Sequence, residues 1–254
     1  MKQNIEKSLE MQNPWWFEQK FDYGIERLGN FSDIQKYLAT KEVLLLIGAR
    51  RTGKSTLLFQ IITDLLSKVK PKSILFINLD EPLFQTESDN PEFLSDLIHN
   101  YASVNDLKYI VLDEIQNYKY WAETIKILYD TKKNFKIILS GSTSNLLHST
   151  ISTRLSGRFF HVEIFPLSFK EFLDFKNINN PDSFKKLNLF KEYVKFGSFP
   201  RIVLENYERI KEDLLKNYFQ TIYIKDIVYA NELRNRKDVF DLFYYLISNS
   251  GKLF

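Results

Sequence analysis

One eight-residue stretch, residues 48–55, constrains this chain more than any other part of its sequence. It reads G-A-R-R-T-G-K-S and fits the pattern G-x-x-x-x-G-K-[ST] of a phosphate-binding loop. An apolar run that predicts a strand, residues 43–47, precedes it, and a run with helical periodicity, residues 56–66, follows it. A strand, a glycine-containing loop and a helix in this order are the context in which such a pattern binds a nucleoside triphosphate.

The residue types of this loop suit a triphosphate, which needs many hydrogen-bond donors and little steric bulk. Gly48 and Gly53 let the backbone curl so that successive N–H groups point inward, and the positive end of the following helix adds to them. Lys54 is expected to reach the β- and γ-phosphate oxygens, and Ser55 to ligate Mg²⁺. The predicted nucleotide-binding residues are Gly48, Ala49, Arg50, Arg51, Thr52, Gly53, Lys54, Ser55 and Thr56.

The composition excludes several other kinds of site. The chain has 254 residues and no cysteine, which rules out disulfides and thiolate metal sites. Its three histidines, His99, His148 and His161, show no metal-ligand spacing, and a formal net charge of +3 is too small to argue for nucleic acid. No apolar run reaches the ~18 residues of a membrane span, and the N-terminus lacks the apolar core of a signal peptide. We therefore expect a cytoplasmic protein without a membrane partner.

Apolar runs alternate with helical periods through the first two thirds of the chain. Strands are predicted at residues 43–47, 74–79, 109–112, 136–139 and 159–164, and helices near 56–66, 91–102, 121–131 and 144–149. Continuous apolar strands separated by helices are typical of a parallel sheet covered on both faces. The sequence therefore predicts an α/β fold, a three-layer P-loop nucleotidase domain with a five-stranded parallel sheet and ligands at the carboxyl ends of its strands.

After Pro166 the periodicity is helical only. Helices are predicted at residues 169–175, 184–196, 201–227 and 238–248. We expect two parts: residues 1–166, the P-loop domain with an N-terminal extension, and residues 167–254, an all-helical lid region. The aromatic cluster at residues 14–17, with Trp15 and Trp16, is expected to pack on the core rather than to stack on a base.

Two adjacent carboxylates, Asp113 and Glu114, follow the predicted strand at residues 109–112. Asp113 is expected to hold the Mg²⁺ shell, and Glu114 to orient and polarise the water that attacks the γ-phosphate. The alternative is a strand end capped by two solvated carboxylates. The phosphate loop upstream favours the metal and water roles, and a Glu beside the metal-binding Asp suits the division of P-loop proteins with an extra strand between these two strands.

Small polar residues end the fourth predicted strand. Ser140 and Ser142 are both placed to sense the γ-phosphate and to help hold the water. The alternative for each is an ordinary loop start.

Together these motifs resemble AAA+ ATPases, and within them the predicted ATPases of archaea and bacteria whose P-loop domain precedes a poorly characterised C-terminal domain. The resemblance rests on residues 48–56, 110–116, 138–142, 155–158, 165–172, 197–200 and 223–227, in the same order. It covers roughly residues 20–254. It implies ATP and Mg²⁺ as ligands, and adenine rather than guanine as the base.

The resemblance also implies roles outside the phosphate loop. Arg158, and more weakly Arg154, stands where AAA+ ATPases place an arginine finger aimed at the nucleotide of a neighbouring subunit; the alternative is a surface arginine. Residues 197–200 match a Gly-Gly-x-Pro element of the lid, although Ser198 replaces the second glycine and a structural turn is the alternative. Family members continue into a winged-helix region where this chain ends, so we expect a natural short form or a piece of a longer protein.

The predicted function is Mg²⁺-dependent ATP hydrolysis that drives or gates an action on a protein or DNA target, which the sequence does not identify. The predicted catalytic residues are Lys54, Glu114, Ser140 and Arg158, and the predicted metal ligands are Ser55 and Asp113. The predicted partners are ATP, ADP and a second subunit reached by the arginine finger. The alternative is a non-turnover switch whose ATP-bound lid recruits a partner, although a pure binder needs no base such as Glu114. A small-molecule kinase is disfavoured by the acidic pair and by the helical continuation.

Overall fold

The computed structural model of the protein describes residues 2–131, 135–142, 157–229 and 235–249. Within these residues five parallel strands form one sheet in the order β2-β3-β4-β1-β5. The strands are β1 (Val43–Ile47), β2 (Ile74–Asn78), β3 (Tyr109–Asp113), β4 (Lys136–Gly141) and β5 (Phe159–Glu163). The predicted five-stranded parallel sheet is therefore confirmed, and β4 lies between β1 and β3, in agreement with the division that the adjacent acidic pair suits.

Helices precede, connect and follow the strands. Those of the first part are α1 (Lys2–Gln12), α2 (Leu28–Leu38), α3 (Lys54–Leu66), α4 (Pro82–Gln85), α5 (Phe93–Val104) and α6 (Trp121–Asp130), with short 3₁₀ turns at Pro14–Phe17, Pro71–Ser73 and Ile115–Asn117. Those of the second part are α7 (Phe169–Phe175), α8 (Ser183–Phe196), α9 (Pro200–Val203), α10 (Glu208–Thr221), a π-helix (Ile222–Tyr229) and α11 (Arg236–Ser248). The helix predicted at residues 144–149 and the residue Arg154 lie outside the described residues.

The core lies on both faces of the sheet, which is why the strands read as continuous apolar runs. All five residues of β1 are buried. Val43, Leu45 and Ile47 belong to the cluster that includes α5 and α6, whereas Leu44 and Leu46 belong to the cluster that includes α3. A strand covered on both faces needs no polar alternation, which explains the uninterrupted apolar run of β1.

The aromatic cluster before α2 packs on this core, as predicted. Trp15 is buried and contacts Phe76 of β2 edge to face, with ring centroids 6.3 Å apart. Trp16 donates its indole N–H to the carbonyl oxygen of Ile74 at 2.9 Å and stacks on Tyr101. The N-terminal extension is thereby fastened to the edge strand of the sheet.

The single helix predicted over residues 201–227 is wrong, because α9 is separated from α10, which the π-helix continues directly. The break falls at residues 204–207, where the Glu205 carboxylate accepts hydrogen bonds from the backbone N–H groups of Asn206 and Tyr207 at 2.9 and 3.2 Å. Such local side-chain bonds compete with helical hydrogen bonding. The apolar spacing continues across the break, so periodicity alone does not reveal it.

A buried arginine joins the two parts of the chain. Arg27, 5% exposed, donates from one terminal nitrogen to the carbonyl oxygens of Thr52 at 2.9 Å and Phe165 at 3.1 Å. Its Nε donates to Glu171 of α7 at 2.9 Å, and Glu171 also closes a capping box with Ser168. One guanidinium therefore connects the phosphate loop, the segment after β5 and the first helix of the second part.

We predict that Arg27→Met lowers the free energy of unfolding by about 3 kcal/mol, because the Glu171 carboxylate and two carbonyl groups lose a buried charged partner. Urea unfolding at pH 7 measures the change. Arg209→Met, at an exposed position of α10, is the matched control and should change stability by less than about 0.5 kcal/mol. Equal stabilities of the two variants would contradict the structural role of Arg27.

Candidate nucleotide-binding site

The phosphate loop connects the carboxyl end of β1 to the first residue of α3, Lys54. Two glycines permit its path. A Cβ at Gly48 would lie 2.3 Å from the carbonyl oxygen of Ile164, and Gly53 has a φ of 96°, a conformation that L-residues rarely adopt. The loop therefore turns tightly into α3, whose first N–H groups have no acceptor within the helix and carry its positive end.

Lys54 fills the interior of this loop. It is 3% exposed, and its ammonium group donates hydrogen bonds to the carbonyl oxygens of Gly48 and Ala49, both at 3.0 Å. Burial lowers the pKa of Lys54, whereas the negative charges of Glu114 and Asp113 act to raise it. A desolvated cation at the N-terminus of a helix is an arrangement that favours binding of an anion such as phosphate.

Asp113, the last residue of β3, is one of the two metal ligands that the sequence predicts. It is buried, it accepts a hydrogen bond from the Ser140 hydroxyl, and the Ser55 hydroxyl also interacts with it. Burial raises the pKa of Asp113, while both hydroxyl groups act to lower it. Asp113 and Ser55 form a pair of hard oxygen donors that fits Mg²⁺, which binds one or two protein ligands together with substrate phosphates. Among the described residues no cluster of three His, Cys, Asp or Glu side chains could hold a metal instead.

Glu114 has an unusual backbone conformation directly after Asp113. Its φ of 53° and ψ of 48° place a non-glycine residue in the left-handed region, at a cost of about 1 kcal/mol or more. The conformation is held by its N–H group, which donates to Asp113 at 3.1 Å and to the Ser140 hydroxyl at 3.2 Å. The Glu114 carboxylate accepts a hydrogen bond from Gln116 and lines the same cavity as Lys54 and Ser55. Arg51, which lines the same cavity, also has a positive φ of 66°, and backbone strain of this kind often occurs at functional positions.

The two serines that end or follow β4 differ in their contacts. The Ser140 hydroxyl connects the two acidic residues, because it donates to the Asp113 carboxylate and accepts from the backbone N–H of Glu114. Ser142 is also buried, but its hydroxyl has no hydrogen-bond partner among the residues that the structure describes. The sequence left both serines open as γ-phosphate sensors, and in this structure only the Ser142 hydroxyl is uncommitted.

Arg158 lies at the edge of the sheet formed by the amino ends of the strands, opposite to the phosphate loop. Its carbonyl oxygen accepts the backbone N–H of Val43 at 2.8 Å, so it stands beside the start of β1, whereas the phosphate loop follows the end of that strand. Five strand residues separate the two edges by roughly 16 Å. The Arg158 guanidinium is instead 3.4 Å from Asp130 and 5.7 Å from the centroid of the Tyr129 ring. Arg158 therefore does not contact the loop of its own chain.

The second part of the chain reaches the phosphate loop at two positions that the sequence did not predict. Arg50 forms an ion pair with Asp226 of the π-helix at 2.8 Å, with side chains 14% and 8% exposed. The Arg51 guanidinium lies 4.4 Å from the centroid of the Tyr218 ring of α10, in a cation–π contact. Asp226 falls within residues 223–227, on which the resemblance partly rests, but its separation from Arg50 by 176 positions in sequence hides the pair from local sequence patterns.

A cavity of about 390 Å³ opens against the loop. Its lining residues come from three parts of the chain: Gly24, Ile25 and Arg27 before α2; Arg51, Gly53, Lys54, Ser55, Thr56 and Glu114 around the loop; and Phe175, Pro200, Arg201, Leu204 and Tyr218 from the second part. Pro200, the last residue of the predicted lid element at 197–200, thus borders the phosphate loop. A larger cavity of about 600 Å³ lies between the end of β5 and α7 and does not include Lys54 or Glu114.

Comparisons with known proteins show the family and the fold of the chain. The family described as "AAA domain" matches residues 40–173, and the family described as "Domain of unknown function (DUF8612)" matches residues 187–254. The uncharacterized protein MJ1544 of Methanocaldococcus jannaschii is 37% identical over 214 residues, which are 82% of this chain and 46% of that protein. An uncharacterized protein of Haemophilus influenzae is 32% identical over 233 residues, 90% of this chain and 57% of its own. The chain spans about half the length of these curated relatives.

Among solved structures, the Orc1 protein of Aeropyrum pernix, determined in complex with DNA, aligns with 93% of this chain and 76% of its own, with a TM-score of 0.51 and 11% identity. At this identity the similarity shows the fold alone. That fold is the predicted one, a five-stranded parallel sheet with flanking helices followed by a helical region. No helix in the described part of the chain combines the length and the apolar character needed to cross a membrane.

We predict that Lys54→Ala weakens the binding of ATP about ten-fold or more, because a charge-assisted contact to phosphate is worth about 1.5–3 kcal/mol. Isothermal calorimetry measures the affinity. Lys126→Ala, which removes the same charge from an exposed position of α6, is the control and should bind ATP as the wild type does. Equal affinities of the wild type and Lys54→Ala would overturn the assignment of the loop.

Proposed function

The chain belongs to the AAA domain family, whose match covers residues 40–173, and on that premise we propose that it binds ATP with Mg²⁺ and hydrolyses it. The observation that carries the proposal is the meeting of Lys54, Asp113 and Glu114 at one edge of the sheet, where charges of both signs act on each other. A phosphate-binding cation, a metal-binding carboxylate and a carboxylate for the attacking water are the groups that phosphoryl transfer to water requires.

In the proposed reaction a water oxygen bonds to the γ-phosphorus while the bond from that phosphorus to the β–γ bridging oxygen breaks, so that ADP and inorganic phosphate are formed. Glu114 orients the water and accepts its proton. Lys54 and the loop N–H groups bind the β- and γ-phosphate oxygens, and Ser55 and Asp113 would hold the metal ion. When bound, Mg²⁺ neutralises part of the charge on the phosphates.

The serines of β4 have separate tasks in this proposal. Ser140 holds Asp113 and the backbone of Glu114 in place through the two contacts described above. Ser142 offers the uncommitted hydroxyl for a γ-phosphate oxygen. The preference for adenine follows from the family, and the downstream target is proposed only as a class, a protein or DNA.

A non-turnover switch is the second candidate. It is favoured by one observation, the hydrogen bond from Gln116 that engages the Glu114 carboxylate and would keep it from a water molecule. In this case ATP would bind and alter the contacts of the loop with Asp226 and Tyr218 without being hydrolysed.

We predict that Glu114→Gln keeps ATP binding and lowers kcat about 10²-fold or more, because the amide cannot accept a proton from water. Asp113→Asn should weaken ATP binding and its dependence on Mg²⁺ together. Phosphate release and calorimetry measure the two effects, with Glu212→Gln at an exposed position of α10 as the control. Wild-type turnover in Glu114→Gln would remove Glu114 from the mechanism, and no turnover in the wild type would favour the switch.

We predict that full activity requires a second subunit, because Arg158 faces away from its own loop and a finger supplied by a neighbour is worth about 10³–10⁵ in rate. Specific activity should therefore rise with protein concentration. A mixture of inactive Arg158→Ala and inactive Glu114→Gln chains should regain activity, since some interfaces then carry one intact site. A mixture of Lys54→Ala and Glu114→Gln, both altered in the same site, is the control without rescue. Constant specific activity and no rescue in the first mixture would make Arg158 a surface residue.

A further inference from the structure

The side chain of Arg50 has contacts that a residue of the phosphate loop does not need if only its backbone N–H group binds phosphate. The side chain is largely buried, and its Nε donates to Asp226 at 2.8 Å. Among the residues that the structure describes, no other hydrogen bond of Arg50 is recorded. The two terminal nitrogens of the guanidinium are thus left without an acceptor, although they carry four of its five donor hydrogens.

The surroundings of Arg50 are those of the site itself. The charges of Asp226, Glu114 and Asp80 all act on Arg50, and Arg50 in turn acts on Lys54. Burial acts to lower the pKa of Arg50, but the bond and the charge of Asp226 raise it above its usual range. Two buried cations, Arg50 and Lys54, therefore lie near each other, an arrangement that is costly unless anions offset both.

We propose that Arg50 is the arginine that binds the γ-phosphate within its own subunit, and that Asp226 of the C-terminal region orients it. The proposal rests on the proposed function: it adds one phosphate-binding residue to that site and connects the site to the C-terminal region. An Nε–carboxylate bond fixes the plane of the guanidinium and leaves its terminal nitrogens for two oxygens of one phosphoryl group. A γ-phosphate would also bring further negative charge to these two neighbouring cations.

The pairing gives residues 187–254 a direct connection to the nucleotide. Asp226 lies in the region matched as a domain of unknown function, yet it contacts the third residue of the phosphate loop. If the terminal nitrogens of Arg50 bind the γ-phosphate, loss of that phosphate leaves Asp226 as the partner of the guanidinium without the phosphate on its other side. Asp226 is therefore a positioning residue, and its region would sense whether ATP or ADP is bound.

The test compares affinities for the non-hydrolysable analogue AMP-PNP and for ADP by calorimetry, so that it does not depend on turnover. Arg50→Ala should bind AMP-PNP at least ten-fold more weakly than the wild type and ADP less than two-fold more weakly. Arg50→Lys keeps the charge and should still lose most of this selectivity, because an ammonium group cannot bond Asp226 and two phosphate oxygens in one plane. Asp226→Asn should lose selectivity in the same direction, and Arg209→Ala, at an exposed position of α10, should keep it.

Equal weakening of AMP-PNP and ADP in Arg50→Ala would overturn the γ-phosphate contact, and full selectivity in Asp226→Asn would overturn the orienting role. If the wild type does not hydrolyse ATP but Arg50→Ala still loses the preference for AMP-PNP over ADP, hydrolysis is refuted and the γ-phosphate contact of Arg50 stands. Turnover that is normal in both the wild type and Arg50→Ala would refute this proposal alone. Rescue in a mixture of Arg50→Ala and Glu114→Gln chains would place Arg50 at the neighbour's nucleotide and contradict action within one subunit.

Discussion

Desolvated positive charge at one edge of a parallel sheet is the constraint on which the rest of the structure depends. Lys54, Arg27 and Arg50 are all largely buried around the phosphate loop. Each is offset by groups from a different source: loop carbonyls, the carboxylate Glu171, and the carboxylate Asp226. A buried cation without such a partner is strongly destabilising. The second part of the chain is therefore held against the sheet by the same charges that prepare the loop for an anion.

The sequence predicts the features that are encoded locally. Continuous apolar runs predict the strands because both faces of the sheet are covered, and the spacing around Lys54 predicts the loop. Asp113 can be predicted to lie near it because the carboxyl ends of parallel strands share one edge. The contacts of Arg27 and Arg50 could not be predicted, since they depend on how helices far along the chain pack. The break near Glu205 could not be predicted from periodicity, because a side-chain hydrogen bond ends the helix there while the apolar spacing continues past it.

The division of the chain looks different in structure and in sequence. The change of periodicity at Pro166 suggests a catalytic part and a separate appendage, and the two family matches cover separate ranges, 40–173 and 187–254. Yet Tyr218 and Asp226 contact consecutive residues of the phosphate loop. The C-terminal region is thus part of the wall of the nucleotide cavity, and a fragment that ended at the first match would lack that wall.

The π-helix at Ile222–Tyr229 has a consequence for the helical phase of this contact. A π-helix holds more residues per turn than the α-helix that precedes it, and in most proteins it is equivalent to one inserted residue. One residue of an α-helix corresponds to a rotation of about 100° around the axis. If this segment were wound as a continuation of α10, Asp226 would point in a different direction from the one in which it meets Arg50. The segment therefore sets the direction in which Asp226 points. A single-residue insertion or deletion within it would turn Asp226 away from Arg50 without changing any residue of the loop.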